Sequence, residues 1–243
     1  MKFVVRIVAV LVSFFLTFQL FAARGADFIV VVDQSRSIKE SLPNIKDFIS
    51  KRIFHSIARP EDRVHLLSFD GQFYERDVLL GDADIFEVGY SLDAIQPVGG
   101  YTDLTNAVIQ MNGYIKTHTE PRTRKIVFFL TDGLNEPPAY SAYQGKLRHS
   151  FFEKAMSDQQ DGDWTVFVTG IGETDAEQLA GMIGAEYVAM SEKPTLDEFD
   201  SRIAEKLEAA RSRNNNLVLY IAASSVVLCA AGSFAALKRY SII

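Results

Sequence analysis

Residues 28–41 read FIVVVDQSRSIKES: five apolar residues run into Asp33, and two serines follow it at alternate positions, Ser35 and Ser37. An unbroken, β-branched run of this length suits a parallel strand buried on both faces. Side chains two apart on an extended chain point the same way, so Asp33, Ser35 and Ser37 present three small oxygen donors to one side of the loop that ends the strand. The competing reading is that they cap the helix beginning near Ser41, since Asp and Ser do this routinely. Ser41 with Pro43 in the first turn already supplies that start signal.

The same grammar recurs along the chain. Ile126–Leu130 is a second continuous apolar run, and Val166–Val168 a shorter one. Val64–Phe69 and Phe73–Leu80 flank a DGQ turn, which predicts a hairpin and hence an antiparallel edge. Between the strands lie stripes at helical spacing: Leu42, Ile45, Phe48, Ile49 and Ile53; then Leu104, Ala107, Val108, Met111 and Ile115; then Leu196, Phe199, Ile203 and Leu207. Strand alternating with helix predicts an α/β fold, a doubly wound and mainly parallel sheet with one antiparallel edge strand. In such folds ligands bind beyond the carboxyl ends of the strands, where strand order reverses. The loops expected there are DQSRS after the first strand, TDG after 126–130, and GGYTDLT ahead of the helix at 104. All are rich in oxygen ligands.

Such a set suits a hard divalent cation. Mg²⁺ prefers six oxygens and gives up its waters reluctantly. Neutral hydroxyls touch the ion without cancelling its charge, which keeps one face electrophilic for an outside carboxylate. Hydrolysis would call instead for an activated water or general base.

These three loops resemble the von Willebrand factor type A domains, including the inserted domains of integrins. Asp33-Gln34-Ser35-Arg36-Ser37 matches their D-x-S-x-S element, Thr102 in GYTDL the threonine of the second metal loop, and Asp132 in FFLTDG the aspartate of the third. VFVTGIG at 166–172 is similar to the next strand and turn, so the resemblance runs over roughly 27–211. It implies a Rossmann-like fold and a metal-ion-dependent adhesion site for Mg²⁺ or Mn²⁺. Ser35 and Ser37 would coordinate directly, Thr102 directly or through water, and Asp33 and Asp132 mainly through waters and hydrogen bonds. The sixth ligand would be a Glu or Asp of a protein partner. Tyr101, just before Thr102, is expected to pack. Arg36, Asp103 and Glu136 border the site and read as solvated surface.

Composition narrows the function further. A net charge of −6 without a Lys/Arg-rich run argues against nucleic acid. The only cysteine, Cys229, permits neither an internal disulfide nor a thiolate metal site, and the four histidines show no ligand spacing. Both ends address a membrane. Lys2 and Arg6 precede an apolar run from Ile7 to Ala23, the pattern of a secretory signal with cleavage before Ala26, or of an uncleaved anchor over 1–25. The uncharged run 217–237 is long enough to span a bilayer, after a 212–216 linker and ahead of a short 238–243 cytoplasmic tail. The export signal places the 26–211 domain outside. The lack of disulfides and of Asn-x-Ser/Thr sequons leans toward a bacterial inner membrane, facing the periplasm.

The reading is therefore a membrane-anchored binding module and not an enzyme. The bacterial aerotolerance type of the family, linked to MoxR-type ATPases and the assembly of envelope complexes, is the candidate setting that the resemblance implies. A surface adhesin for host or neighbouring-cell proteins is the alternative. A metal-dependent phosphohydrolase is the third class, disfavoured because Ser35 stands where Asp-x-Asp phosphatases carry their second aspartate.

Overall fold

The computed structural model describes residues 25–190, except 122, 146, 154–156, 158–163 and 172–174, together with residue 197. β1 (Asp27–Asp33) is buried along its whole length, as its continuous apolar run requires. It pairs in parallel with β2 (Arg63–Phe69) on one side and β4 (Lys125–Leu130) on the other. β3 (Phe73–Leu80) turns back antiparallel along β2 around the DGQ turn, and a bulge at Leu66/Leu67 interrupts their register. β5 (Trp164–Ile171) and β6 (Glu186–Met190) extend the parallel sheet beyond β4, giving the order β3-β2-β1-β4-β5-β6. The expected fold class is the observed one: Rossmann-like, with one antiparallel edge.

Helices cover both faces. α1 (Leu42–Phe48) continues through Ile49–Ile57 with π-type hydrogen bonds, ending on Ala58 N–H to the Ile53 carbonyl. Its Leu42, Ile45, Phe48, Ile49 and Ile53 are all buried, the stripe read from the sequence. α2 (Ile85–Asp93) lies against β3, where the Ser91 hydroxyl donates to Asp77 at 2.6 Å. The opposite face carries α3 (Leu104–His118) and α4 (Asp175–Ile183). Their buried residues close over Ile29, Val31, Val127, Phe129 and Val168 in one core cluster. His65, one of the scattered histidines, is a packing residue: its ring contacts Tyr114 edge-on and bonds the Tyr114 hydroxyl at 3.0 Å.

Strand order reverses between β1 and β4, so the crevice for a ligand opens where Asp33 and the residues after Leu130 lie side by side. The stripe residues Leu196, Phe199, Ile203 and Leu207, the apolar run 7–23 and the 217–237 span all lie outside the described residues. Among the described residues no helix is long and apolar enough to cross a membrane.

Candidate metal centre

Asp33 is the last residue of β1 and is wholly buried. Each of its oxygens is engaged. Oδ1 accepts the Ser35 N–H at 2.7 Å, which folds the loop back on itself, and Oδ2 accepts the Thr131 hydroxyl at 2.7 Å, which ties β1 to the end of β4. Asp33 thus caps no helix. The Ser35 and Ser37 hydroxyls stand 2.9 Å apart, as alternate spacing requires. Gln34, between Asp33 and Ser35, turns the other way: it donates to Asp70 at 3.2 Å and accepts from Arg76 at 2.8 Å, while Arg76 also donates to Ser68 at 2.7 Å. One face of the loop therefore presents hydroxyls, and the other is fastened to the scaffold.

The second loop is stitched to the first through backbone. Ser35 bridges Gly99 in parallel fashion; the Gly99 N–H donates to the Gln34 carbonyl at 3.0 Å and the Arg36 N–H to the Gly99 carbonyl at 2.9 Å. This approach requires glycine, because a Cβ at Gly99 would sit 2.4 Å from the Asp70 Cβ. Gly99→Ala must push this loop away from the Asp70 turn, and is expected to lower the urea unfolding midpoint by the equivalent of about 1–3 kcal/mol. Wild-type stability in that variant would mean the contact is not as tight as drawn.

The third loop closes the ring. Thr131-Asp132-Gly133 turns at Gly133, whose φ of 84° favours glycine, and the Gly133 N–H donates to the Thr131 hydroxyl at 2.9 Å. Thr102 and Glu136 exchange backbone hydrogen bonds of 3.0 and 2.8 Å, joining the second and third loops. Asn135 reinforces the joint: its side chain accepts from the Leu104 N–H and donates to the Gly145 carbonyl, each at 3.2 Å, while its own N–H donates to Asp175.

Asp103 is buried and caps α3 through the Asn106 N–H at 2.9 Å, and also accepts from the Ser141 hydroxyl. It is a structural residue, contrary to the solvated role expected for it. Asp103→Ala is expected to cost about 1 kcal/mol from the lost cap, read as a lower thermal midpoint.

Electrostatics give this ring its need. Asp33 and Asp132 are both buried, and neither has a Lys, Arg or His partner among the described residues. Burial first, and the neighbouring charge of Asp132 second, push the Asp33 carboxyl up to about 7. The Thr102 hydroxyl, on a buried residue, has no hydrogen-bond partner among the described residues. Two uncompensated carboxylates on interlocked loops that also carry the Ser35, Ser37 and Thr102 hydroxyls fit a small, hard divalent cation. Among the described residues no three His, Cys, Asp or Glu side chains converge on a metal position, so a cation here would depend on the hydroxyls. All five residues singled out in the sequence lie in these interlocked loops. Asp70, Thr131 and Asn135 were not singled out, although Asp70 in the DGQ turn and Thr131 in TDG lay within motifs already read.

One expectation fails. Tyr101 does not pack inward: it is 48% exposed and meets Tyr140 edge-on, ring centroids 6.5 Å apart. Both sides of its loop are taken up by backbone pairing, so the side chain is left on the rim.

Residues 28–135 match the family model described as the von Willebrand factor type A domain. Solved structures of similar fold include proximal thread matrix protein 1 from the mussel byssus with a zinc-occupied MIDAS motif. It is 18% identical, with a TM-score of 0.54, over 77% of this chain and 46% of that one. The domain of the type V pili tip protein Mfa5 from Porphyromonas gingivalis is 13% identical, with a TM-score of 0.53, over 79% of this chain and 96% of that one. An aerotolerance-related membrane protein from Bacteroides fragilis is 16% identical, with a TM-score of 0.46, over 68% of this chain and 92% of that one. The chain spans less than half the length of the first solved structures it matches. No curated protein matches the sequence. The family model over residues 28–135 and the fold shared with these solved structures agree with the resemblance read from the loops.

Proposed function

We propose, with a type A domain as the premise, that this chain is a membrane-tethered binding module. Asp33, Ser35, Ser37, Thr102 and Asp132 would hold Mg²⁺ or Mn²⁺, and the partner is a protein with an exposed Glu or Asp. When bound, the ion supplies an open coordination position for that carboxylate. The observation that carries the reading is the buried couple of Asp33 and Asp132, without a cationic partner among the described residues, on loops joined to the one that bears Thr102. Asp33 compensates charge and fixes the Ser35 loop through its two hydrogen bonds. Since both its oxygens are engaged and none is exposed, it is badly placed as the nucleophile a phosphohydrolase needs.

The tether follows from the apolar ends of the sequence and sets the domain in the bacterial envelope, outside the cytoplasm. Chain entry is compatible with this: Ala26 and Asp27 lie at the start of β1, and the three loops lie beyond its other end. Seven residues of strand separate the two, about 20 Å.

The test is affinity capture of partners from solubilised membranes by the full chain, with and without chelator, beside Asp33→Ala. A partner retained equally in all three would remove the cation from the binding mechanism.

A further inference from the structure

Nine large apolar side chains are exposed among the described residues, and four of them crowd the metal loops: Val98 at 66%, Tyr101 at 48%, Leu134 at 45% and Tyr140 at 69%. Each is tied to the site. Val98 precedes Gly99, which pairs with Ser35; Tyr101 precedes Thr102; the Leu134 N–H donates to the Asp132 carboxylate at 3.3 Å. Tyr140 meets Tyr101, and a methyl group added at Gly71 would lie within 3.2–3.3 Å of Pro138, the Tyr140 hydroxyl and the Tyr101 Cβ. The loops after β2, before α3 and after β4 thus touch beneath one aromatic-bearing rim. Keeping such side chains in water is unfavourable, and aromatic residues beside a polar anchor are characteristic of binding hot spots.

We propose that this rim is the second half of the partner-binding surface: it receives an apolar side chain lying within two residues of the partner's metal-seeking carboxylate. The preferred partner segment is then an extended peptide with Glu or Asp flanked by Phe, Leu or a similar residue, not an acidic run. Charge agrees. The exposed charged residues bordering this part of the ring are Arg36 and Glu136, one of each sign, so the rim offers no cationic track for further acids. The proposal rests on the cation reading given above, and adds to it which carboxylates are chosen.

The probe is a displayed library of seven-residue peptides with a fixed central Glu, selected on the immobilised full chain in Mn²⁺ and, separately, in chelator. Selection that needs Mn²⁺ and enriches apolar residues beside the Glu is the expected result. Those peptides should bind at least about fivefold more weakly to Tyr101→Ser and to Tyr140→Ser. Tyr140→Ser should take up Mn²⁺ as the wild type does, since Tyr140 offers no ligand to the ion. Mn²⁺-dependent selection without an apolar preference, or one indifferent to both substitutions, overturns the rim and leaves the cation reading standing. Selection indifferent to chelator, or none at all, overturns both.

Discussion

Asp33→Ala is expected to abolish uptake of divalent cation by the full chain, lowering Mn²⁺ affinity at least about a hundredfold, while the protein stays folded. Two opposing effects make the second half of that statement possible. Removing the carboxylate leaves the buried Ser35 N–H and Thr131 hydroxyl without their acceptor, at about 1–3 kcal/mol for each unsatisfied group. It also removes a buried negative charge held beside Asp132, which is itself unfavourable in the metal-free protein. The two partly cancel, so the metal-free stabilities of wild type and variant should differ little. Nothing cancels the loss for the cation. Asp132 alone remains to balance two positive charges, and the loop bearing Ser35 and Ser37 loses its anchor to β4. Mn²⁺ titration followed by electron paramagnetic resonance reads the affinity, and circular dichroism reads the fold. A folded variant that binds Mn²⁺ as tightly as the wild type would sink the site as drawn.

How much of this was legible beforehand depended on how locally each feature is encoded. β1 and β4 announce themselves because a strand buried on both faces must be apolar at every position. The β2–β3 hairpin shows through its turn, and α1 and α3 through stripes of five apolar residues each. α2 and β6 left no comparable trace, whereas α4 carries a stripe at helical spacing, Ala176, Leu179, Ala180 and Ile183, that is short and half alanine. α2 buries only Val88, Ser91 and Leu92, too few for a stripe, and β6 is five residues with a glutamate at its start. The three metal loops could be found because each follows or precedes a legible element and carries its own oxygen donors.

The scaffold behind those loops could not be found in the same way. Gln34 to Asp70, Asp33 to Thr131 and Asn135 to Leu104 are contacts between residues 31 to 98 positions apart, made by side chains of ordinary loop composition. Gly99 looks like any turn glycine until Asp70 is placed against it. Tyr101 was misread for the converse reason. An aromatic beside a buried threonine suggests packing, but the backbone pairings on both sides of it leave its side chain nowhere to go but outward.

The stabilising effect of Mg²⁺ should be larger at pH 8 than at pH 5. In the folded, metal-free domain the Asp33 carboxyl is pushed up to about 7, from the 3.8 of an unperturbed aspartate, by burial and then by Asp132. Below both values the group is protonated in either state and contributes no pH dependence. As pH rises between them, the unfolded chain gives up its proton while the folded one keeps it, so the folded state binds more protons and stability falls with rising pH. Between pH 5 and 7 this amounts to roughly 3 kcal/mol at most. For a domain of this size that is a fall in thermal midpoint of about 5–10 °C. A bound divalent ion opposes it, because it interacts favourably with the ionised carboxylate and must compete with a proton at low pH. Melting curves at pH 5 and pH 8, each with magnesium and with chelator, give the four midpoints needed, and Asp33→Asn should flatten the metal-free trend. An equal magnesium shift at both pH values would mean that the ion, if it binds, does so without engaging the charge on Asp33, and the electrostatic case for the site would fail with it.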